Sequence, residues 1–186
     1  GLVYQSPRMP DDELAAFYEE EYRLLYQGSQ GPNAKDLAIQ RGRAAHLLHF
    51  VQADLPKVEK HLDIGCSAGL LLQAIQAYYH NQAAGVEPGR AYRQAAQAHG
   101  LEVFASLEEL RKSGSGPFDL ISLAHVLEHI PDPVNYLVDL RENLLAPGGA
   151  LILEVPNLYG HDCFEVAHLV SYSAHSLAQV LAKAGW

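Results

Sequence analysis

Two features of the chain have the residue types and spacing to do chemistry together. The first is the turn Asp63-Ile64-Gly65-Cys66-Ser67-Ala68-Gly69, set between a short apolar run and a helical pattern, where glycine lets the backbone reverse sharply and approach a ligand closely. The second is Glu87, which ends the next apolar run 22 positions after Gly65, the separation at which a carboxylate accepts hydrogen bonds from the hydroxyls of a ribose. A 2′-phosphate would be repelled by that carboxylate, so the ribose is expected to be unphosphorylated. NAD is disfavoured as well, because Ser67 and Leu70 occupy the second and third glycine positions of the pyrophosphate-binding G-x-G-x-x-G pattern. The chain also has no G-K-[ST] phosphate cradle. A nucleoside without pyrophosphate fits best.

Other constellations compete for the same residues. Gly65-Cys66-Ser67-Ala68-Gly69 matches the G-x-S-x-G nucleophile elbow, which would make Ser67 a nucleophile served by Asp132 and by His161 or His168. Against it, only helical patterns precede residue 58 and no His-Gly-Gly-Gly segment is present. His125-Val126-Leu127-Glu128-His129 matches H-x-x-E-H, a zinc motif that needs one continuous helix; Pro131 and Pro133 stop such a helix, so no metal is expected. Cys66 with a distant histidine lacks a third partner.

Of the ten histidines, His46, His49, His61, His80 and His99 read as structural. His125, His129, His161 and His168 follow the ends of the fourth and fifth expected strands, where an acceptor would bind. A neutral imidazole can take a proton from an attacking hydroxyl, and His125 and His168 are the candidates for base or substrate contact.

The elements that must position these residues alternate. Helices are expected over about 11–27 and 34–52, then strand 61–64, helix 70–79, strand 83–87, helix 90–99, strand 101–104 and helix 107–112. Strand 118–123, helix 134–145, strand 150–155 and helix 176–184 complete the series. Such alternation predicts a doubly wound α/β sheet, Rossmann-like and mostly parallel, with helices on both faces and its ligands at the carboxyl ends of the strands.

Composition narrows the function further. With 48% apolar residues the chain can bury a core, and no apolar run is long enough to span a bilayer. A net charge of −9, with the basic residues, Arg41 and Arg43 among them, scattered rather than clustered, argues against nucleic acid. Two cysteines, Cys66 and Cys163, form no disulfide framework, and a reducing cytoplasmic setting is expected.

Taken in order, His61 to Gly69, Gly85-Val86-Glu87-Pro88, Phe118 to Pro133, Leu145-Ala146-Pro147-Gly148-Gly149 and Val155-Pro156-Asn157 resemble class I S-adenosylmethionine-dependent methyltransferases. The resemblance covers residues 58–186 and departs at Ser67, where many members carry glycine. It implies S-adenosylmethionine as methyl donor, with S-adenosylhomocysteine as product. It also implies that Gly65 and Gly69 flank the methionine part, with Cys66 and Ser67 between them, and that Asp63 orients the loop or the amino group. Glu87 would hold the ribose, followed by Pro88; Ser106 and Leu107 would border adenine; Ala124 and His125 would lie beside the methyl donor. The segment Val126 to Pro133 is most similar to enzymes of quinone biosynthesis and sugar modification, so a small-molecule acceptor is implied, methylated on O, N or C. The nucleic-acid signature Asn/Asp-Pro-Pro-aromatic is missing. The alternatives are an α/β-hydrolase using Ser67 and a cofactor-binding fragment without activity.

Residues 1–57 are expected to form an N-terminal helical segment, with Tyr18 and Tyr22 able to join a lid, and 58–186 the cofactor-binding core. The resembled fold has two further strands after the final helix, so the chain is expected to be a piece of a longer protein.

Overall fold

The structure, a computed structural model, describes residues 2–10, 13–14, 17, 25, 28, 31–55, 57–160, 164–165 and 167–186. Most of the expected 11–27 helix, with Tyr18 and Tyr22, lies outside the described residues, as do His161 and Cys163.

Val3–Tyr4 forms β1, and Ala34–Val51 forms α1, opened by Asn33, whose side chain accepts the Asp36 N–H. Lys60–Ile64 (β2), Leu70–Tyr79 (α2), Gln82–Val86 (β3), Arg90–Ala98 (α3), Glu102–Phe104 (β4) and Leu107–Ser113 (α4) then alternate as the sequence pattern requires. Phe118–Ala124 (β5), Pro133–Asn143 (α5), Leu145–Glu154 (β6), Val170–Ser171 (β7) and Ala174–Lys183 (α6) follow. Among the described residues, no helix is long and apolar enough to cross a membrane.

The main sheet is parallel, in the order β4-β3-β2-β5-β6. The chain winds outward from β2 to β4 and restarts beside β2 with β5, so the carboxyl ends of β2 and β5 border the point where the order reverses. Alternate residues serve opposite faces. Leu62, Ile64, Ile121 and Leu123 pack with Leu110 of α4 and Leu140 of α5, whereas Leu120 and Ile152 pack with Ala44 and Leu47 of α1 and Leu71 and Ile75 of α2. Burial on both sides explains the near-continuous apolar runs of the strands.

Three elements differ from the sequence pattern. Strand β6 begins at Leu145 rather than 150, because Leu145 pairs with Phe118 before the register jumps to Leu120↔Ala150 across Pro147-Gly148-Gly149. Helix α6 begins at Ala174 rather than 176, since Ser173 and Ser176 form a reciprocal capping box. A second, antiparallel sheet pairs β1 with β7, a contact with no local signal in either two-residue segment.

Candidate functional site

The turn after β2 owes its shape to its glycines. Gly65 (φ +73°) and Gly69 (φ +77°) adopt the left-handed conformation, and a Cβ on Gly69 would meet Leu101 Cδ1 at 2.3 Å. Ser67 is also left-handed (φ +51°), and its N–H donates to Glu87 Oε2 (2.8 Å). The Gly89 N–H donates to Oε1 of the same carboxylate (2.8 Å). Glu87, 3% exposed, thus braces the turn while facing a cavity of about 790 Å³.

Beneath the turn, Asp63 accepts the Ser122 hydroxyl at Oδ1 (2.6 Å), and burial pushes its carboxyl up to about 7.

The other end of the cavity is polar and charged. His125 follows β5 in the left-handed conformation (φ +58°); its Nδ1 is 3.4 Å from Glu128 Oε1 and its Nε2 is 2.9 Å from Glu154 Oε1. Those two carboxylates raise the imidazole to about 9, and His125 in turn holds Glu154 below the usual carboxylate range. Arg43 of α1 reaches Glu154 Oε1 at 3.5 Å. Glu128 is 1% exposed, and neither carboxylate oxygen has a hydrogen-bond partner among the described residues. His168 Nε2 stands 4.0 Å from Glu128 Oε1 and 3.4 Å from Glu165 Oε2, while His129 Nδ1 lies 2.8 Å from the Ala167 carbonyl.

A methyltransferase-domain family model matches residues 37–186. The chain belongs to the methyltransferase family.

Curated relatives of the chain include the ubiquinone biosynthesis O-methyltransferases of Xylella fastidiosa (34% identical over 103 residues; 52% of this chain, 41% of that one) and Psychrobacter arcticus (32% over 124 residues; 58% and 48%). The chain spans about half the length of the curated relatives it matches. A Burkholderia thailandensis 1,6-didemethyltoxoflavin-N1-methyltransferase, solved with its substrate and S-adenosylhomocysteine, superposes at TM-score 0.71 with 20% identity, covering 98% of this chain and 83% of that one. The plantazolicin methyltransferase BpumL in complex with S-adenosylhomocysteine gives 0.66 at 16% identity, covering 91% and 72%. These likenesses show the class I, Rossmann-like fold.

Gly65, Ser67, Glu87, Pro88, Leu107, Ala124, His125 and His168 line one cavity. Four expected contacts lie elsewhere. Asp63 is buried beneath the turn with Ser122, and Gly69 packs on Leu101 and Ala96. Cys66 belongs to the apolar cluster of Leu72, Ala96, Leu101 and Val103, because its side chain turns under Gly85. The Ser106 hydroxyl is taken by the cap of α4, where it accepts the Glu109 N–H, and the neighbouring Ala105 lines the cavity instead. Among the described residues, which exclude His161, the hydrolase roles do not assemble, since Asp132 caps α5 by accepting from Asn135 and His168 faces Glu128 and Glu165.

Sequence reasoning missed Asp36, Gln40, Arg43, Glu128 and Glu154, all cavity-lining or bonded to it. Glu154 closes a strand as Glu87 nearly does, so the same strand-end rule would have found it. Leu127–His129 is a 3₁₀ turn rather than part of a continuous helix. Yet His168 comes in from a distant segment, and ligand atoms of Glu128, His129 and His168 lie within 4.8 Å of one another, a set able to hold a divalent cation.

Proposed function

We propose that the chain binds S-adenosylmethionine between the Gly65-to-Gly69 turn and Glu87 and transfers its methyl group to an oxygen of a small-molecule acceptor, releasing S-adenosylhomocysteine. The observation that carries this reading is that one cavity joins a ribose-competent carboxylate, Glu87, to a buried carboxylate, Glu128, whose oxygens have no hydrogen-bond partner among the described residues. Its volume of about 790 Å³ accommodates a donor and a small acceptor together.

In this reading Glu87 holds the ribose, Gly65 and Ser67 border the methionine portion, and Leu107 lies against adenine. Ala124 closes the floor beside the sulfonium. The sulfonium is already an activated electrophile, so the protein's main work is alignment and exclusion of water. The acceptor hydroxyl donates to Glu128, which receives the proton as the oxygen attacks the methyl carbon. His168 stands behind that carboxylate. His125 contacts the acceptor as a cation held by Glu128 and Glu154, because at about 9 it does not offer a free lone pair at neutral pH.

The N-terminal segment, residues 1–57, works with the 58–186 core in this reading, supported by the cavity positions of Asp36, Ile39, Gln40 and Arg43 on α1.

Oxygen is chosen over nitrogen or carbon on two grounds. The relatives at 31–36% identity are named O-methyltransferases, and a buried carboxylate that keeps hydrogen-bond capacity beside its ion pair with His125 suits a hydroxyl proton. Transfer of labelled methyl from S-adenosylmethionine to a panel of phenols, catechols, polyols and amines tests this. Label on hydroxyl-bearing compounds is expected; label confined to amines or carbon acceptors would contradict it.

A further inference from the structure

The polar groups that this chemistry leaves unused gather beneath the cofactor end of the cavity. His61, Asp63 and Ser122 are each at most 3% exposed, and Asp63 stands in register with Ser122 across β2 and β5. The Ser122 hydroxyl donates its single proton to Asp63 Oδ1 (2.6 Å), while His61 Nε2 lies 2.7 Å from the same hydroxyl oxygen. His61 must therefore carry its proton on Nε2 and donate it to Ser122. The remaining nitrogen, Nδ1, is buried and has no hydrogen-bond partner among the described residues. That isolation gives the relay a direction. Reversing it, with a protonated Asp63 donating to Ser122 and Ser122 to His61, would put a proton on Nδ1 and leave a buried donor without an acceptor, a rarer defect than an unfilled lone pair.

Burial lowers His61 to about 3, so it is neutral at physiological pH, and raises Asp63 to about 7 against the opposing hydrogen bond from Ser122. The helices on this face, α1 and α2, present Ala44, Leu47, Leu71 and Ile75 to the sheet. The charged group acting on Asp63 from β3 is Glu87, which disfavours its ionisation; from β5 it is Ser122 that faces it, and on β2 itself His61.

We infer that His61 and Ser122 are positioning residues whose relay holds Asp63 as a carboxylate beneath the cofactor turn, and that this charge makes the site prefer the cationic methyl donor over its neutral product. The inference rests on the reading of the cavity as an S-adenosylmethionine site. The donor carries sulfonium, ammonium and carboxylate groups, one net positive charge. Transfer turns the sulfonium into a thioether and removes that charge. An ionised Asp63, close enough to Glu87 to feel its charge, favours the donor, and product leaves a site it no longer complements.

Affinities for S-adenosylmethionine and S-adenosylhomocysteine, measured by calorimetry from about pH 5.5 to 8.5 on either side of the Asp63 transition, test this. The donor-to-product affinity ratio is expected to rise with pH through about 7 in the unsubstituted chain. Ser122→Ala should move that midpoint up by about one unit and lower the ratio near neutrality by up to about tenfold. Asp63→Asn should give a low, pH-independent ratio. Nitrogen NMR should find His61 protonated on Nε2. A Ser122→Ala chain with unaltered melting temperature, midpoint and ratio would overturn the inference, as would a His61 proton on Nδ1. If the unsubstituted chain bound neither nucleoside, the cofactor reading would fall first and the relay's role with it.

Discussion

The backbone N–H of Ser67 donates to Glu87 Oε2 at 2.8 Å, so one carboxylate at the end of β3 both shapes the turn after β2 and faces the cavity beside it. Shape and ligand binding are therefore coupled: whatever engages Glu87 also acts on the turn. The turn's glycines and its histidine neighbour give the first tests.

Gly69→Ala should destabilise the fold. The position has φ +77°, and the new Cβ would stand 2.3 Å from Leu101 Cδ1 and 3.2 Å from Ala96 Cβ. Strain and overpacking together should cost about 2–4 kcal/mol. Urea unfolding measures it, and a midpoint unchanged from the parent chain would contradict the packing described.

Much of this arrangement is legible in the sequence because parallel strands buried on both faces leave compact apolar runs, and glycine-bounded turns mark their ends. Gly65, Glu87 and His125, which line the cavity, could be placed there from that pattern alone, whereas Asp63, placed with them, is buried beneath the turn. The acceptor side was less legible. Glu128 and His129 are neighbours in sequence, but His168 joins them from a segment 39 positions further on, and Arg43 from a helix before the first strand of the main sheet. Side-chain direction was the other limit: the family resemblance puts Cys66 and Ser106 near the cofactor, whereas packing turns the thiol under Gly85 and capping claims the hydroxyl. The β1–β7 pair rests wholly on long-range contact.

His125→Asn should lower stability in a pH-dependent way, with asparagine chosen because it tolerates the left-handed backbone at φ +58°. The folded imidazole is raised to about 9 by Glu128 and Glu154, so its contribution is complete below the unfolded value near 6.5 and is lost as pH rises through 9. Partial exposure limits the effect to about 1–2 kcal/mol. Melting temperatures of the two proteins should differ at pH 6 and converge above about pH 10; a constant gap would remove the charge from the explanation.

Glu128→Gln keeps the shape of the side chain and removes its ability to take a proton. Methyl transfer should fall by about 10²-fold or more, while the affinity for S-adenosylmethionine stays within about threefold. Steady-state kinetics and calorimetry together separate the two effects. Full activity in the variant would show that the acceptor proton goes elsewhere.

The most direct test of the central claim is calorimetric titration of S-adenosylmethionine into the chain and its Glu87→Ala variant. The account predicts saturable binding by the former and an affinity lower by about tenfold to a hundredfold in the latter, since a ribose would lose hydrogen bonds to a charged acceptor and the turn its brace. Equal affinity in the two proteins, or no binding to either, would contradict it.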